Sequence, residues 1–237
     1  MAKPKKKEGF LETIKTIVFA LILAGIFRTL FFQPFWIPSG SMKDTLLIGD
    51  FLFVNKMSYG YSYASCPTVR LAAIGLNIDA EDICGFLRGD NKRILGAEPK
   101  RGDVVVFRHP TNGQDYIKRL IGLPGEKVQL KNGLVYINEI PLEVIPDGTF
   151  DEIKSPQGPF GNMPRCANEV VEQNGVCEKE KFVEILPNGV SHSVLNFMRQ
   201  TVDDTPVYHV PLGHYFFLGD NRDNSSDSRI SQSRGGV

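Results

Sequence analysis

The sequence predicts a mostly β fold: a single N-terminal transmembrane helix, then an all-β domain with a sheet or barrel core and a peripheral β-rich lobe. Three observations carry this expectation. One apolar stretch near the N-terminus has the length of a bilayer core, short strand-like segments separated by tight turns fill the middle of the chain, and no βαβ pattern intervenes. With 237 residues, 42% of them apolar, the chain can bury one large core or two modest ones.

The apolar stretch runs from Ile14 to Phe32. As a helix its residues would span about 28 Å, close to the roughly 30 Å of a hydrocarbon core. Its longest uncharged run is Thr16 to Phe27, so Lys15 and Arg28 must reach the two interfaces. Phe31, Phe32, Phe35 and Trp36 supply an aromatic belt beyond it. Lys3, Lys5, Lys6 and Lys7 precede it, which the positive-inside rule leaves in the cytoplasm. The pattern fits a permanent anchor or a cleavable secretory signal, and either sends the rest of the chain across the membrane. Without those four lysines the chain carries 23 basic and 27 acidic residues, a balance that argues against a nucleic-acid surface.

Beyond the anchor, Phe51–Val54 reads as a strand, whereas Ser58–Pro99 has no sustained periodicity and reads as an insertion. Strands follow at 103–107 (DVVVF), 115–122 (DYIKRLIG), 126–130 (EKVQL) and 134–138 (LVYIN), separated by HPTNG, LPG and KNG turns. From Pro141 to Pro206 the chain is polar and turn-rich, with only short strand candidates such as KFVEIL. Strand character resumes at 206–220 up to Leu218, ahead of GDNRDNSSDSR at 219–229.

The expected organisation is a basic cytoplasmic segment at 1–13, an anchor at 14–32, a core at 33–140 with an insertion at 58–99, a peripheral lobe at 141–205, and a return to the core at 206–237. Four cysteines show no C-x-x-C and no histidine at ligand spacing, which disfavours zinc. Cys166 with Cys177 closes a short polar loop and is the favoured disulfide; Cys66 and Cys84 then pair by elimination or stay free.

No G-x-S-x-G or H-E-x-x-H occurs, and His109, His192, His209 and His214 lie in contexts that nominate no triad. The acidic run from Asp220 has Arg222 and Ser225 where a calcium loop needs an oxygen ligand and a glycine. The Arg-Gly-Asp triplets starting at 88 and 101 read as turns. A lysine can replace histidine as a base if burial makes it neutral, because an exposed lysine is deprotonated only about once in 2,500 at pH 7. Alternation in DYIKRLIG puts Tyr116, Lys118 and Leu120 on one face, so Lys118 has apolar neighbours. Taken singly, Lys118 is an ordinary strand lysine, Ser41 a loop serine and DNSSDSR a surface turn.

In combination and in order, the anchor, FWIPSGSM at 35–42 with LLIGDFLFVNK, RGDVVVF, YIKRLIGLPGE and GDNRDNSSDSR resemble the bacterial type I signal peptidases, or leader peptidases. The resemblance implies a membrane-bound serine endopeptidase with a Ser-Lys dyad in an all-β catalytic domain. Ser41 is then the nucleophile, Lys118 the general base and Ser39 an oxyanion donor. Ser225 is expected to hydrogen-bond the lysine, with Asp227 and Arg229 as a supporting ion pair. Phe35, Ile37, Met42 and Ile117 would line the S1 and S3 pockets, while Tyr116, Phe217 and Leu218 pack on the lysine stem. The resemblance also implies an anchor that is not cleaved, no metal or cofactor, and a single-pass protein of the inner membrane, its catalytic domain on the periplasmic face. The expected partners are signal-peptide-bearing preproteins and membrane lipid, not nucleic acid, and the expected state is a monomer.

Two departures stand out. Asp44 occupies a position where the family commonly has proline, and a carboxylate near Lys118 would favour the ammonium, so Asp44 must point away. The family also continues with strand-forming residues after the DSR segment, so the chain reads as truncated at its C-terminus. The alternatives are an inactive or fragmentary membrane-tethered peptide-binding module, or a peptidase dedicated to a conjugation or pilus protein.

Overall fold

Residues 10 to 30 contain no proline, are rich in Leu, Ile and Phe, and form one helix, α1 (Phe10–Leu30), in the computed structural model. The structure describes residues 9–66, 69–71, 75–78, 80–87, 93–168 and 170–237. Lys3, Lys5, Lys6, Lys7 and the Arg-Gly-Asp triplet at 88–90 lie outside the described residues. Helix α1 starts four residues before the predicted stretch and stops at Leu30, ahead of Pro34, which cannot continue a helix. Its apolar side chains are exposed all round, and it is long and apolar enough to cross a membrane, the one such helix among the described residues.

The chain divides into two compact units: Met1–Phe35 with Phe53–Ala97, and Trp36–Leu52 with Glu98–Val237. It passes between them within β1 (Phe32–Trp36) and β2 (Phe51–Asn55), which form a two-stranded sheet. Phe32 and Trp36 of the expected aromatic belt therefore sit on a strand. In the first unit, the segment without periodicity holds a short pair of strands, β3 (Val69–Leu71) and β4 (Leu76–Ile78), and a single helical turn, α2 (Ala80–Cys84). A Cys66–Cys84 disulfide joins this region.

The second unit is built of three antiparallel sheets. β5 (Val104–Arg108), β6 (Asp115–Gly122) and a late strand, Phe216–Leu218, form the first, with β6 in the centre. β7 (Lys127–Lys131), β8 (Leu134–Ile137) and β9 (Ile140–Pro141) form the second with the short pair Tyr208–His209. The KNG turn joins β7 to β8 with Asn132 at φ 49° and Gly133 at φ 80°, the positive pair that a two-residue hairpin needs. The third sheet is β10 (Glu143–Ile153), β11 (Val176–Ile185) and β12 (Ser191–Asn196).

Two expectations are corrected here. The polar region after Pro141 holds two of the longest strands, not short ones; their side chains are largely exposed or half-exposed, so few apolar residues mark them. The 206–220 segment is not one strand: Pro211 and Gly213, the latter at φ 75°, turn the chain between β13 (Tyr208–His209) on the second sheet and β14 (Phe216–Leu218) on the first. A Cys166–Cys177 disulfide ties the β10–β11 connection to β11. The core between the sheets is made of Ile121, Val128, Leu130, Val135, Ile137, Leu142, Leu186, Val210, Phe216 and Leu218. Burying such side chains is worth about 1.5–3 kcal/mol each, which gives the site a rigid base.

Candidate active site

Pro38, Ser39 and Gly40 lead into a tight turn that buries Ser41, 6% exposed. Strand β6 brings Lys118, 4% exposed, against it, and the ammonium donates to Ser41 Oγ at 2.8 Å and to the Ile117 carbonyl at 2.9 Å. On β6, Lys118 shares its face with Tyr116, whose ring centroid is 5.6 Å from the amine, and pairs across the sheet with Val105. Burial among these groups pushes the Lys118 pKa down to about 8, with Asp227 and Asp220 pulling part of the way back.

The turn is clamped from below by residues just after β14. Asn221 donates its backbone N–H to the Ser41 carbonyl at 3.1 Å and its Nδ2 to the Gly40 carbonyl at 2.9 Å. Gly219 makes this approach possible, since a Cβ there would stand 2.6 Å from the Ser41 oxygen and 2.2 Å from Ser225 Oγ. Asp227 receives Arg229 in a two-point contact at 2.8 and 2.9 Å and the Gly219 N–H at 3.1 Å. Burial alone would raise the Asp227 carboxyl, but Arg229, with the Gly219 N–H and Ser225, holds the pKa below the usual value.

Other expected positions fall differently. The Ser225 hydroxyl is covered beside Gly219 and makes no hydrogen bond to Lys118, whose bonds go to Ser41 and Ile117. Ser39 is exposed and lines the cleft in front of Ser41. Of the residues expected in substrate pockets, only Ile117 lines this cleft: Met42 and Ile37 point into the interior, 0% and 3% exposed, and Phe35 belongs to the first unit. Phe217 pairs with Leu120 on the lysine's face, but Leu218 pairs with Arg119, which alternation puts on the other face, and joins the core. Asp44 turns its carboxylate to Lys181 at 3.0 Å, so its charge is taken up away from the dyad.

Three groups escaped the sequence reading. Arg119, next to Lys118, binds Asp220 at 2.8 and 2.6 Å and the Gly102 carbonyl at 2.8 Å, bracing β6 against the segment that carries Asn221. The signal was present, since alternation turns Arg119 inward and a buried guanidinium needs a carboxylate. Arg222 donates to Glu184 at 2.5 Å, beside His192. Lys43 and Lys179 share Glu152, at one end of the cleft. The cleft has a volume of about 550 Å³ and runs from Pro38 and the dyad past Gln114–Ile117 to the β10–β11 connection. Among the described residues no group of three or more His, Cys, Asp or Glu side chains gathers as a metal site.

A hydroxyl held against a buried amine that loses its proton near neutrality, at the floor of an open cleft in a β scaffold, defines a class: serine hydrolases of mostly β fold. Within that class the chain belongs to the signal peptidase family, peptidase S26, whose pattern matches residues 10–236. It is 38% identical over 225 residues to a signal peptidase I of Rickettsia canadensis (strain McKiel), covering 92% of this chain and 71% of that one. The signal peptidase I of Rickettsia prowazekii (strain Madrid E) is 36% identical over 224 residues, 91% of this chain and 71% of its own length. A solved signal peptidase I from Enterococcus faecalis V583 has 25% identity, spans 58% of this chain and 92% of that chain, and gives a TM-score of 0.28. The chain is therefore a serine endopeptidase, and helix α1 fits membrane anchoring.

Proposed function

We propose that this enzyme removes signal peptides from exported preproteins with Ser41 as nucleophile and Lys118 as general base. The observation that carries this reading is the 2.8 Å contact between Ser41 Oγ and a lysine amine with a pKa of about 8. Neutral Lys118 takes the Ser41 proton as Oγ attacks the scissile carbonyl, and the resulting ammonium gives that proton to the leaving amine. Water then attacks the acyl-enzyme with Lys118 again as base, which regenerates Ser41. Ser39, exposed at the cleft, and the Ser41 N–H are the donors for the oxyanion, each worth about 3 to 4 kcal/mol in the transition state.

The substrate lies extended beside β6. Strand β14 pairs with β6 only from Arg119 to Gly122, while residues 115–117 pair with β5 on one edge and line the cleft. Their other edge supports addition of a substrate strand, which delivers the scissile carbonyl to Ser41. Ile117 offers apolar surface for small side chains before the cleavage site. Asp227, braced by Arg229, acts by holding the Gly219 segment against the nucleophile turn, and Ser225 packs beside Gly219. The lysines at 3, 5, 6 and 7 support a cytoplasmic N-terminus, with the second unit acting as a monomer at the outer membrane face, close to lipid.

The test is cleavage of a preprotein by the purified full chain in detergent, beside Ser41→Ala and Lys118→Met. Both variants should lose cleavage at the signal junction. Cleavage by either at the parent rate overturns the dyad.

A further inference from the structure

Lys43 and Lys179 are 5% and 2% exposed, yet both line the cleft that holds Ser41. One carboxylate, Glu152, serves the two of them. Both oxygens of that carboxylate are engaged: Oε1 accepts from Lys179, and Oε2 accepts from Lys43 and from Gln157 Nε2 at 2.7 Å. Lys43 also donates to Gln157 Oε1 at 2.7 Å. Two ammonium groups hold six N–H donors, and these bonds use three of them. The cluster thus carries one positive charge in excess of its only carboxylate, in a place where water screens poorly.

The other charged groups facing the cleft do not cancel that excess. Arg165 and Lys118 add positive charge, and Asp115 is the one further carboxylate. A pair formed only to brace the turn would match one lysine to one acid. Burial alone would raise the Glu152 carboxyl, but Lys179 and Lys43 hold it below its usual value, so it stays charged and committed to them. Burial also holds Lys179 below its ordinary value against the pull of Glu152, and a second carboxylate would restore what burial removes.

We propose that Lys43 and Lys179 form an anion-accepting subsite that takes a side-chain carboxylate of the substrate near the scissile bond. The inference rests on the Ser41–Lys118 reading of the cleft. Lys43 is two residues after Ser41, so two Cα steps of 3.8 Å and a stem of about 6 Å limit the reach to about 14 Å, or four residues of extended substrate. The substrate class is therefore preproteins with Asp or Glu within about four residues of the cut. The binding contact is a charge-assisted hydrogen bond from the free ammonium N–H groups.

The test uses the full chain in detergent and peptides that differ only by Asp, Asn or Lys at each of the four positions on either side of the cut. At one position kcat/KM for Asp should exceed that for Asn by about tenfold, with Lys lowest. The Asp-to-Asn ratio, taken within each enzyme so that general losses cancel, should fall toward one in Lys179→Met. In Glu152→Gln, which removes the competing carboxylate with little change of shape, the ratio should rise. No preference for Asp at any position in the parent overturns the subsite, as does a ratio that neither variant moves. Ser41→Ala separates the two readings: an inactive Ser41→Ala with a flat parent ratio sinks only the subsite, whereas cleavage by Ser41→Ala at the parent rate sinks the dyad.

Discussion

Titration of Lys118 gives the sharpest consequence of the site geometry. With a pKa of about 8, as burial dictates, the amine is neutral in about 9% of molecules at pH 7, about 1% at pH 6 and about 90% at pH 9. At the ordinary 10.5 the neutral share at pH 7 would be about one in 3,000, so burial raises the supply of free base about 300-fold. Because the base acts when neutral, kcat/KM on a signal-peptide substrate should climb tenfold per pH unit below 8 and level off above it. The same burial has a stability cost of opposite use. The folded chain holds its Lys118 proton less tightly than the unfolded chain, so stability rises with pH between about 8 and 10.5, and below 8 the full cost of about 3 kcal/mol remains. Lys118→Met should therefore be inactive yet more stable at pH 7, by up to that amount, in urea unfolding followed by near-ultraviolet circular dichroism. A pH–rate profile that is flat from 5.5 to 9.5, or one still climbing tenfold per unit at pH 9.5, would refute the argument; so would a Lys118→Met chain less stable than the parent.

Gly219→Ala sets a methyl 2.6 Å from the Ser41 carbonyl oxygen and 2.2 Å from Ser225 Oγ, so the nucleophile turn and the segment that clamps it must shift apart. A displacement near 1 Å lowers kcat by about 100-fold, which single-turnover cleavage would resolve from binding. Glu184 provides an acid limb: burial would raise its carboxyl, but Arg222 and His192 together bring it down to about 2. That stabilisation is complete above the unfolded value near 4.5 and is lost as pH falls toward 2, about 3 kcal/mol in all, visible as an acid decline in Tm. Glu184→Gln should remove that decline and, by leaving Arg222 buried without its partner, destabilise the chain by about 3–5 kcal/mol at pH 7.

The pairing of Ser41 with Lys118 was reached through blocks that resemble a family when taken in order, and local pattern alone nominated neither residue. DYIKRLIG shows by alternation alone that Lys118 faces apolar neighbours, and PSGSM lies between an anchor and a strand. KNG marked its hairpin because Asn and Gly tolerate the positive φ that the turn demands. The partners across space were not legible. Arg119 meets Asp220 at a separation of 101 residues and Lys43 meets Glu152 at 109, and no local rule links such positions. Strands β10 and β11 hid for a different reason: Pro146, Gly148 and many charged residues on half-exposed faces imitate loop composition.

The long sequence separations also set a clock. Ser41 meets Lys118 from 77 residues downstream, and the Asn221 amide that grips Gly40 comes 181 residues later. At a synthesis rate of about 5–20 residues per second, the serine waits on the order of ten seconds or more for the last part of its clamp. The turn that holds Ser41 is therefore completed only when the 219–229 segment, made near the end of the chain, docks against it.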